Sequence, residues 1–273
     1  MKPAEFEYFA GFLRERSGVS LDSSKSYLVE ARMASLVDEC GLDSLSNLVS
    51  TLRGEGDSGL EARVVDEMMI AETSFFRDVR PFETLRSYAI PAVMESRGQD
   101  KKLRIWSAGC STGQEPYSVA ILIREHLPEL ADWEISIIAT DLSSTVLEYA
   151  RQASYSPLEI NRGLPGELQE AHFTRSGLRW QLCDEIRSMV AFEQKNLLEP
   201  PGIDPPVDIV LLRNVLLYFD LDVQRRVLGL VKQSMQAGAF LFLGGTETTL
   251  NLDDAFEPIE DLPRSGCYRL GKE

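Results

Sequence analysis

The chain has 273 residues, 44% of them hydrophobic and 26% charged, a composition that suits a globular protein with one large domain or two unequal ones. A net charge of −15 with no long basic run argues against a nucleic-acid partner and against an anionic membrane surface. Four scattered cysteines (Cys40, Cys110, Cys183, Cys267) and only two histidines (His126, His172) argue against a zinc site and fit a reducing cytoplasm.

Residues 1 to about 90 read as helices. The segment Met1 to Gly18 lacks the apolar core of a signal peptide. Phe6, Phe9, Ala10 and Leu13 recur at helical spacing, and Gly18 ends that helix. Leu21 to Ser24 supplies a cap for a second helix marked by Tyr27, Leu28, Ala31 and Leu36. Asp43-Ser44 starts a third, with Leu45, Leu48, Val49 and Leu52 inward, and Gly54 to Gly59 is a polar glycine loop before a fourth helix, Leu60 to Met69. Pro81 suits the first turn of a longer helix reaching Met94. No apolar run approaches the roughly 20 residues of a membrane helix.

From Leu103 onward strands and helices alternate. Leu103-Arg104-Ile105-Trp106 is a short buried strand, Gly109 to Gly113 a glycine loop, and Pro116 to Ile123 a helix. Trp133 to Thr140 is a second strand ending at Asp141, and Ser143-Ser144-Thr145 caps a helix from Val146 to Arg151. Val207 to Leu212 is a buried strand, Asp222 to Ala237 a helix ended by Gly238, Ala239 to Leu243 a strand, and Gly266 to Leu270 an edge strand. Residues 152–195 interrupt this rhythm with turns and short strands, the last of them Met189 to Glu193, and read as a small antiparallel appendage. The expectation is an α/β domain, 91–273, with an open and mainly parallel doubly wound sheet, preceded by an all-α domain, 1–90.

Several residues stand where a sheet of this kind carries a site. The loop Gly109 to Gly113 opens a helix yet lacks both the Gly-x-Gly-x-x-Gly spacing and a Gly-Lys-Ser/Thr ending, which excludes a P-loop and weakens a dinucleotide reading. Its glycines let backbone and ligand approach closely. Glu115 either answers the dipole of that helix or faces a cationic group of a ligand. Asp141 either caps the next helix or accepts hydrogen bonds from ribose hydroxyls, and its strand-end position favours the ribose. Thr73-Ser74-Phe75-Phe76-Arg77-Asp78 is either a packing element, with Arg77 paired to Asp78 or Glu72, or a lid whose arginine grips a carboxylate. Arg213, Asn214 and Tyr218 follow a buried strand and point to a site, whereas Val215, Leu216 and Phe219 read as core. Lys25 and Arg32 share a helix face, which reads as a solvated face rather than a docking patch.

These segments, taken together, resemble the chemotaxis receptor methyltransferases of the CheR family. The matching stretches are Tyr27 to Arg32, Glu72 to Asp78, Ala108 to Ser118, Ala139 to Ser143, Lys195 to Leu198 and Leu212 to Phe219, in the family's order and spanning nearly the whole chain. The resemblance implies a Rossmann-like S-adenosylmethionine-binding domain carrying a small β-subdomain, behind a helical domain that recognises the receptor. It implies methyl transfer from S-adenosylmethionine to glutamate side chains of chemoreceptors, giving methyl esters and S-adenosylhomocysteine, in the cytoplasm and without a metal. It also implies that Thr73, Arg77, Glu115, Asp141, Asn196, Leu197, Arg213 and Asn214 surround the cofactor, and that Arg77 and Tyr218 position the target carboxylate.

That chemistry needs no strong nucleophile of the protein's own. A glutamate carboxylate, with reference pKa near ~4.3, is already ionised at neutral pH. Alignment and water exclusion then carry the reaction. Two departures from the family pattern stand out. Ala71 replaces a common Asn two residues before Thr73, and Gln114 replaces a common Glu. The hairpin from Phe173 to Trp180 is short, so no tethering to a receptor-tail pentapeptide is expected, and a monomer is. The chain ends at Glu273 with no room for the extra C-terminal repeats of some relatives. The competing expectation is a non-catalytic cofactor-binding scaffold of the same fold, with Ala71 as its only hint.

Overall fold

The computed structural model describes residues 1–54, 58–259, 262 and 265–271. The chain divides into two compact units: Met1–Ile70 with Tyr218–Val223, and Ala71–Leu217 with Gln224–Glu273. This division falls earlier than the expected break at residue 90. The reason is packing: Phe75, Phe82, Leu85, Ala89, Ile90 and Val93 share one core cluster with Leu103 and Ile105 of the central strand.

In the first unit, helix Pro3–Ser17 buries Phe6, Phe9, Phe12 and Leu13 and ends on Gly18 at φ 80°. The Asp22 side chain accepts from Ser24 N at 2.9 Å, opening a short turn into helix Ser26–Glu39. That helix buries Val29, Met33, Leu36 and Val37; of the residues that marked it in the sequence Leu36 is buried, whereas Tyr27 is 69% exposed. Ser44 caps helix Leu45–Arg53 by accepting from Asn47 N, and Leu48, Val49 and Leu52 are buried. Helix Ser58–Met68 begins within the expected glycine loop, whose residues 55–57 lie outside the described residues. Arg32 is half-buried against a helix end. Its Nη1 donates to the carbonyls of Met68 (2.7 Å) and Met69 (3.2 Å), where a helix end favours a cation.

The second unit holds a seven-stranded sheet and a three-stranded one. The strands are β1 (Lys102–Ala108), β2 (Glu134–Asp141), β3 (Ser154–Tyr155), β4 (Phe173–Ser176), β5 (Arg179–Leu182), β6 (Val190–Gln194), β7 (Val207–Leu212), β8 (Met235–Leu243), β9 (Phe256–Pro258) and β10 (Cys267–Leu270). The large sheet runs β6-β2-β1-β7-β8-β10-β9. The first five are parallel, and β10 is antiparallel to both neighbours. All six residues of β7 are buried, as a doubly covered parallel strand requires. The direction of winding reverses between β1 and β7, which places the ligand crevice of such a sheet at the carboxyl ends of these strands.

Four expectations are corrected here. The strand at 189–193 is not part of the appendage, because β6 pairs in parallel with β2, so the small sheet contains only β3, β5 and β4. The helix after β7 is Leu221–Gln233, and Gly238, at φ 76°, lies inside β8 beside a register shift against β7. The last strand is not an edge, since β9 lies outside β10. Helix 80–97 is interrupted by a π turn at Leu85–Ala89 just before Pro91, whose ring and missing N–H break the α ladder.

Candidate active site

The loop after β1 is built on left-handed residues: Gly109 (φ 76°), Ser111 (φ 51°) and Gly113 (φ 93°). Gly109 N and Cys110 N both donate to Thr140 O, at 2.8 and 2.9 Å, which fixes the loop to the end of β2. A Cβ on Gly109 would lie 2.6 Å from Val215 Cγ2, and one on Gly113 2.9 Å from Ala150 Cβ. At both glycines the chain's own packing leaves no room for a Cβ, which by itself requires glycine there. Asp141 accepts from Ser111 N at 2.8 Å and from Ser143 N at 3.1 Å. The cap of helix Ser144–Gln152 is Ser143, whose side chain accepts from Val146 N, so Asp141 stands at the strand end and is not the cap. Ser111 Oγ is buried with no hydrogen-bond partner. The orphaned Ser111 hydroxyl emerges only from the fold.

Glu115 meets a cation, but of its own chain. It is 8% exposed, accepts from Ser107 Oγ at 2.8 Å, and takes Arg213 Nη1 at 2.9 Å. The guanidinium of Arg213 is spent on the protein: Nη2 donates to Arg77 O and to Asp78 Oδ2, both at 2.8 Å. Its carbon lies 5.5 Å from the Phe82 ring centre, and Nε is buried without a partner. A buried cation bonded to two carboxylates and a carbonyl is a strut between β7 and the segment before helix 80–97.

That segment, 71–79, is strained. Phe76 (φ 48°), Asp78 (φ 68°) and Val79 (φ 51°) are all left-handed without being glycine, a cost of about 1–3 kcal/mol each. Contacts hold it from both sides. Phe75 is fully buried, edge-on to Tyr155 and Phe173 at 5.1 and 5.6 Å. Phe76 N donates to Ser118 Oγ at 2.9 Å. Gly163 approaches so closely that a Cβ there would sit 2.1 Å from Phe75 O. The pairings expected for a packing element do not form. Asp78 goes to Arg213, and Glu72 goes to Arg162 at 2.6 Å, whose guanidinium holds the Glu72 carboxyl below its usual range. Arg77 donates to the Glu72 carbonyl oxygen at 2.8 Å and, among the described residues, forms no ion pair. Thr73 is half-buried at the start of the segment.

Asn214 takes a left-handed turn (φ 58°) that asparagine tolerates well. Glu247, which sequence reasoning missed, stabilises this turn: its carboxylate accepts from Asn214 N (2.7 Å), Gly244 N (2.6 Å) and Leu217 N (3.2 Å). Its role at this turn is not legible locally, because Asn214 and Leu217 lie 33 and 30 residues away, and only Gly244 is near. Asn196 and Leu197 follow β6, with Asn196 Oδ1 accepting from Leu198 N at 3.0 Å and Lys195 N donating to Asp141 O at 3.0 Å. Asp141, Asn196, and Arg213 with Asn214 thus lie at or just beyond the carboxyl ends of β2, β6 and β7, and Glu115 opens the helix after β1. Tyr218 closes the turn Leu216–Tyr218 and begins the segment that belongs to the helical unit, where its carbonyl accepts from Ser20 N. Burial, with the Asp141 and Glu115 carboxylates beside it, pushes the Cys110 thiol well up, so it stays protonated and is no nucleophile. Among the described residues no group of three or more His, Cys, Asp or Glu could hold a metal ion. No helix among them is long and apolar enough to cross a membrane.

A sheet reversing between β1 and β7, an acid ending β2 and a tight loop opening a helix define an α/β domain of the kind that takes a nucleoside-bearing ligand. Residues 71–262 match the family described as CheR methyltransferase, SAM binding domain, and residues 4–69 match CheR methyltransferase, all-alpha domain. The chain belongs to the CheR methyltransferase family. It is 38% identical to chemotaxis protein methyltransferase 1 of Pseudomonas aeruginosa over 95% of this chain and 96% of that one. It is also 38% identical to chemotaxis protein methyltransferase Cher2 of Pseudomonas putida, over 95% of each chain. The identity to chemotaxis protein methyltransferase 1 of Vibrio cholerae is 36%, over 95% of this chain and 94% of that one.

Proposed function

We propose that the protein transfers the methyl group of S-adenosylmethionine to glutamate side chains in the cytoplasmic helical region of chemoreceptors, giving glutamate methyl esters. The observation that carries the carboxylate acceptor is how Arg77 is partnered. Arg162 and Arg213, which meet segment 71–79, are committed to carboxylates of the chain, while Arg77 donates to the Glu72 carbonyl oxygen and, among the described residues, forms no ion pair, its charge acting on Glu72 only from a distance. A planar guanidinium of this kind takes a carboxylate in a fixed orientation.

The residues fit the cofactor. The orphaned Ser111 hydroxyl and the Asp141 carboxylate are polar groups of the loop and strand end where an adenosyl ligand with ribose hydroxyls belongs, and no phosphate-binding glycine spacing accompanies them. Asn196, Leu197, Thr73 and Asn214 complete that surround. When bound, S-adenosylmethionine supplies a methyl group already activated by its sulfonium. Arg77 holds one oxygen of the target carboxylate and leaves the other to attack, and Tyr218 helps place the acceptor. Arg213 and Glu115 act one layer back, holding segment 71–79 in place. No general base is needed, because the acceptor is ionised near neutral pH (reference pKa about 4.3). Catalysis is alignment plus exclusion of water. The protein acts in the cytoplasm as a monomer. The β4–β5 hairpin has four-residue strands turned at Gly177, too short to grip a receptor tail.

Arg77→Ala tests this reading. Tritiated methyl transfer to a receptor fragment, read as base-released methanol, should fall by roughly 10³-fold. Circular dichroism and S-adenosylhomocysteine calorimetry should report a folded protein. Wild-type turnover in this variant would sink the assignment.

A further inference from the structure

A second group of reactive side chains lies outside the residues assigned above. His172 ends helix Gly166–His172, Cys183 follows β5, and Glu125 lies in the last turn of helix Gln114–His126. Cys183 N donates to His172 O at 2.8 Å, which locks the two residues together through the backbone. His172 is 6% exposed, so its ring nitrogens are satisfied by protein. Nε2 lies 2.9 Å from Glu125 Oε1, and Nδ1 lies 4.0 Å from Cys183 Sγ.

The carboxylate decides the tautomer. An ionised Glu125 can only accept, so Nε2 carries the hydrogen. In the neutral ring Nδ1 is then bare and faces the Cys183 S–H as an acceptor. This is the order nucleophile, base, orienter that activates a thiol. A buried histidine merely satisfied by its neighbours would explain the Glu125 contact but would not need a half-buried thiol, packed at the edge of the core, at the other nitrogen. The remaining cysteines differ. Cys110 and Cys267 are buried, and burial pushes the Cys267 thiol up to about 12. Cys40 is half-exposed with Arg63 Nη1 3.4 Å from its sulfur, which makes it a built-in comparison without a histidine.

We propose that Cys183 is a reactive thiol, activated by His172 with Glu125 orienting the ring, that takes up hydroperoxides and soft carbon electrophiles outside the methyl-transfer site. With a hydroperoxide, His172 Nδ1 takes the thiol proton and the sulfur attacks the distal peroxide oxygen. The S–O bond forms as the O–O bond breaks. The leaving alkoxide or hydroxide takes the proton from His172 as alcohol or water. The sulfur is oxidised by two electrons to sulfenic acid, and the peroxide is reduced by two.

The test is site-resolved alkylation of the full chain by iodoacetamide, read by peptide mass spectrometry. Cys183 should react about tenfold faster than Cys40. His172→Gln should slow Cys183 by about tenfold and leave Cys40 unchanged. Glu125→Gln should slow Cys183 by a smaller factor, because an amide can donate to Nε2 and reverse the tautomer. S-adenosylhomocysteine calorimetry reports whether each variant is folded; if His172→Gln is not, the surface Glu125→Gln decides alone. Dilute hydrogen peroxide followed by dimedone should mark Cys183 first. A Cys183 rate that is the same in wild type and in every folded variant, or no faster than Cys40, overturns the proposal.

Discussion

Two loops at the carboxyl edge of the sheet need left-handed backbone, and they obtain it in opposite ways. The loop after β1 places glycine at two of its three such positions, Gly109 and Gly113. Segment 76–79 places Phe76, Asp78 and Val79 there, with no glycine at all. The first loop is relaxed by its own composition. The second is forced by its surroundings: the Arg213 strut, the buried Phe75 ring and the Ser118 hydroxyl. Strain held from outside fits the role proposed for Arg77, because the Arg213 strut holds the Arg77 carbonyl itself and the other contacts hold its neighbours Phe75 and Phe76.

Breaking the strut should have the largest effect. Arg213→Met leaves Glu115 buried without its cation and releases Asp78. Urea unfolding should lose about 3 kcal/mol or more, and methyl transfer should fall with it. Next comes damage to the relaxed loop. Gly109→Ala brings a Cβ to 2.6 Å from Val215 in a left-handed conformation, and the expected loss, in the same measurement, is about 2 kcal/mol. Val79→Gly runs the other way. Val79 is 58% exposed and strained, so the variant should gain about 1 kcal/mol in stability while methyl transfer drops as segment 76–79 loosens. Equal stability of Val79→Gly and wild type would mean that the segment stores no strain.

The smallest effect is at Glu72 and Arg162, an exposed pair. Arg162 holds the Glu72 carboxyl below its ordinary value of 4.5 in the folded protein. The pair's contribution is therefore present above that value and lost as pH falls through the lowered folded one. Stability curves of wild type and Arg162→Gln should differ slightly at neutral pH and low salt, then converge in acid. A gap that widens in acid would reverse the sign of the argument.

The sequence by itself determined the alternation of strands and helices from Leu103, the acid at the end of β2, the capping of the N-terminal helices and the family. These are local patterns: periodicity, caps and short motifs survive without knowledge of the fold. The remainder came from long-range packing in the tertiary structure. It assigned residues 190–194 to the main sheet through pairing with β2, and it began a strand at Met235 where the helical pattern ran on to Ala237. It showed Arg32 capping a helix end, and Arg213 tying the end of a strand to a distant loop. It also joined Glu247 to Asn214 and His172 to Cys183 and Glu125. In each case the partners are far apart along the chain. Whether a charge or strand edge faces water or another group depends on long-range packing, and residue spacing carries no record of that.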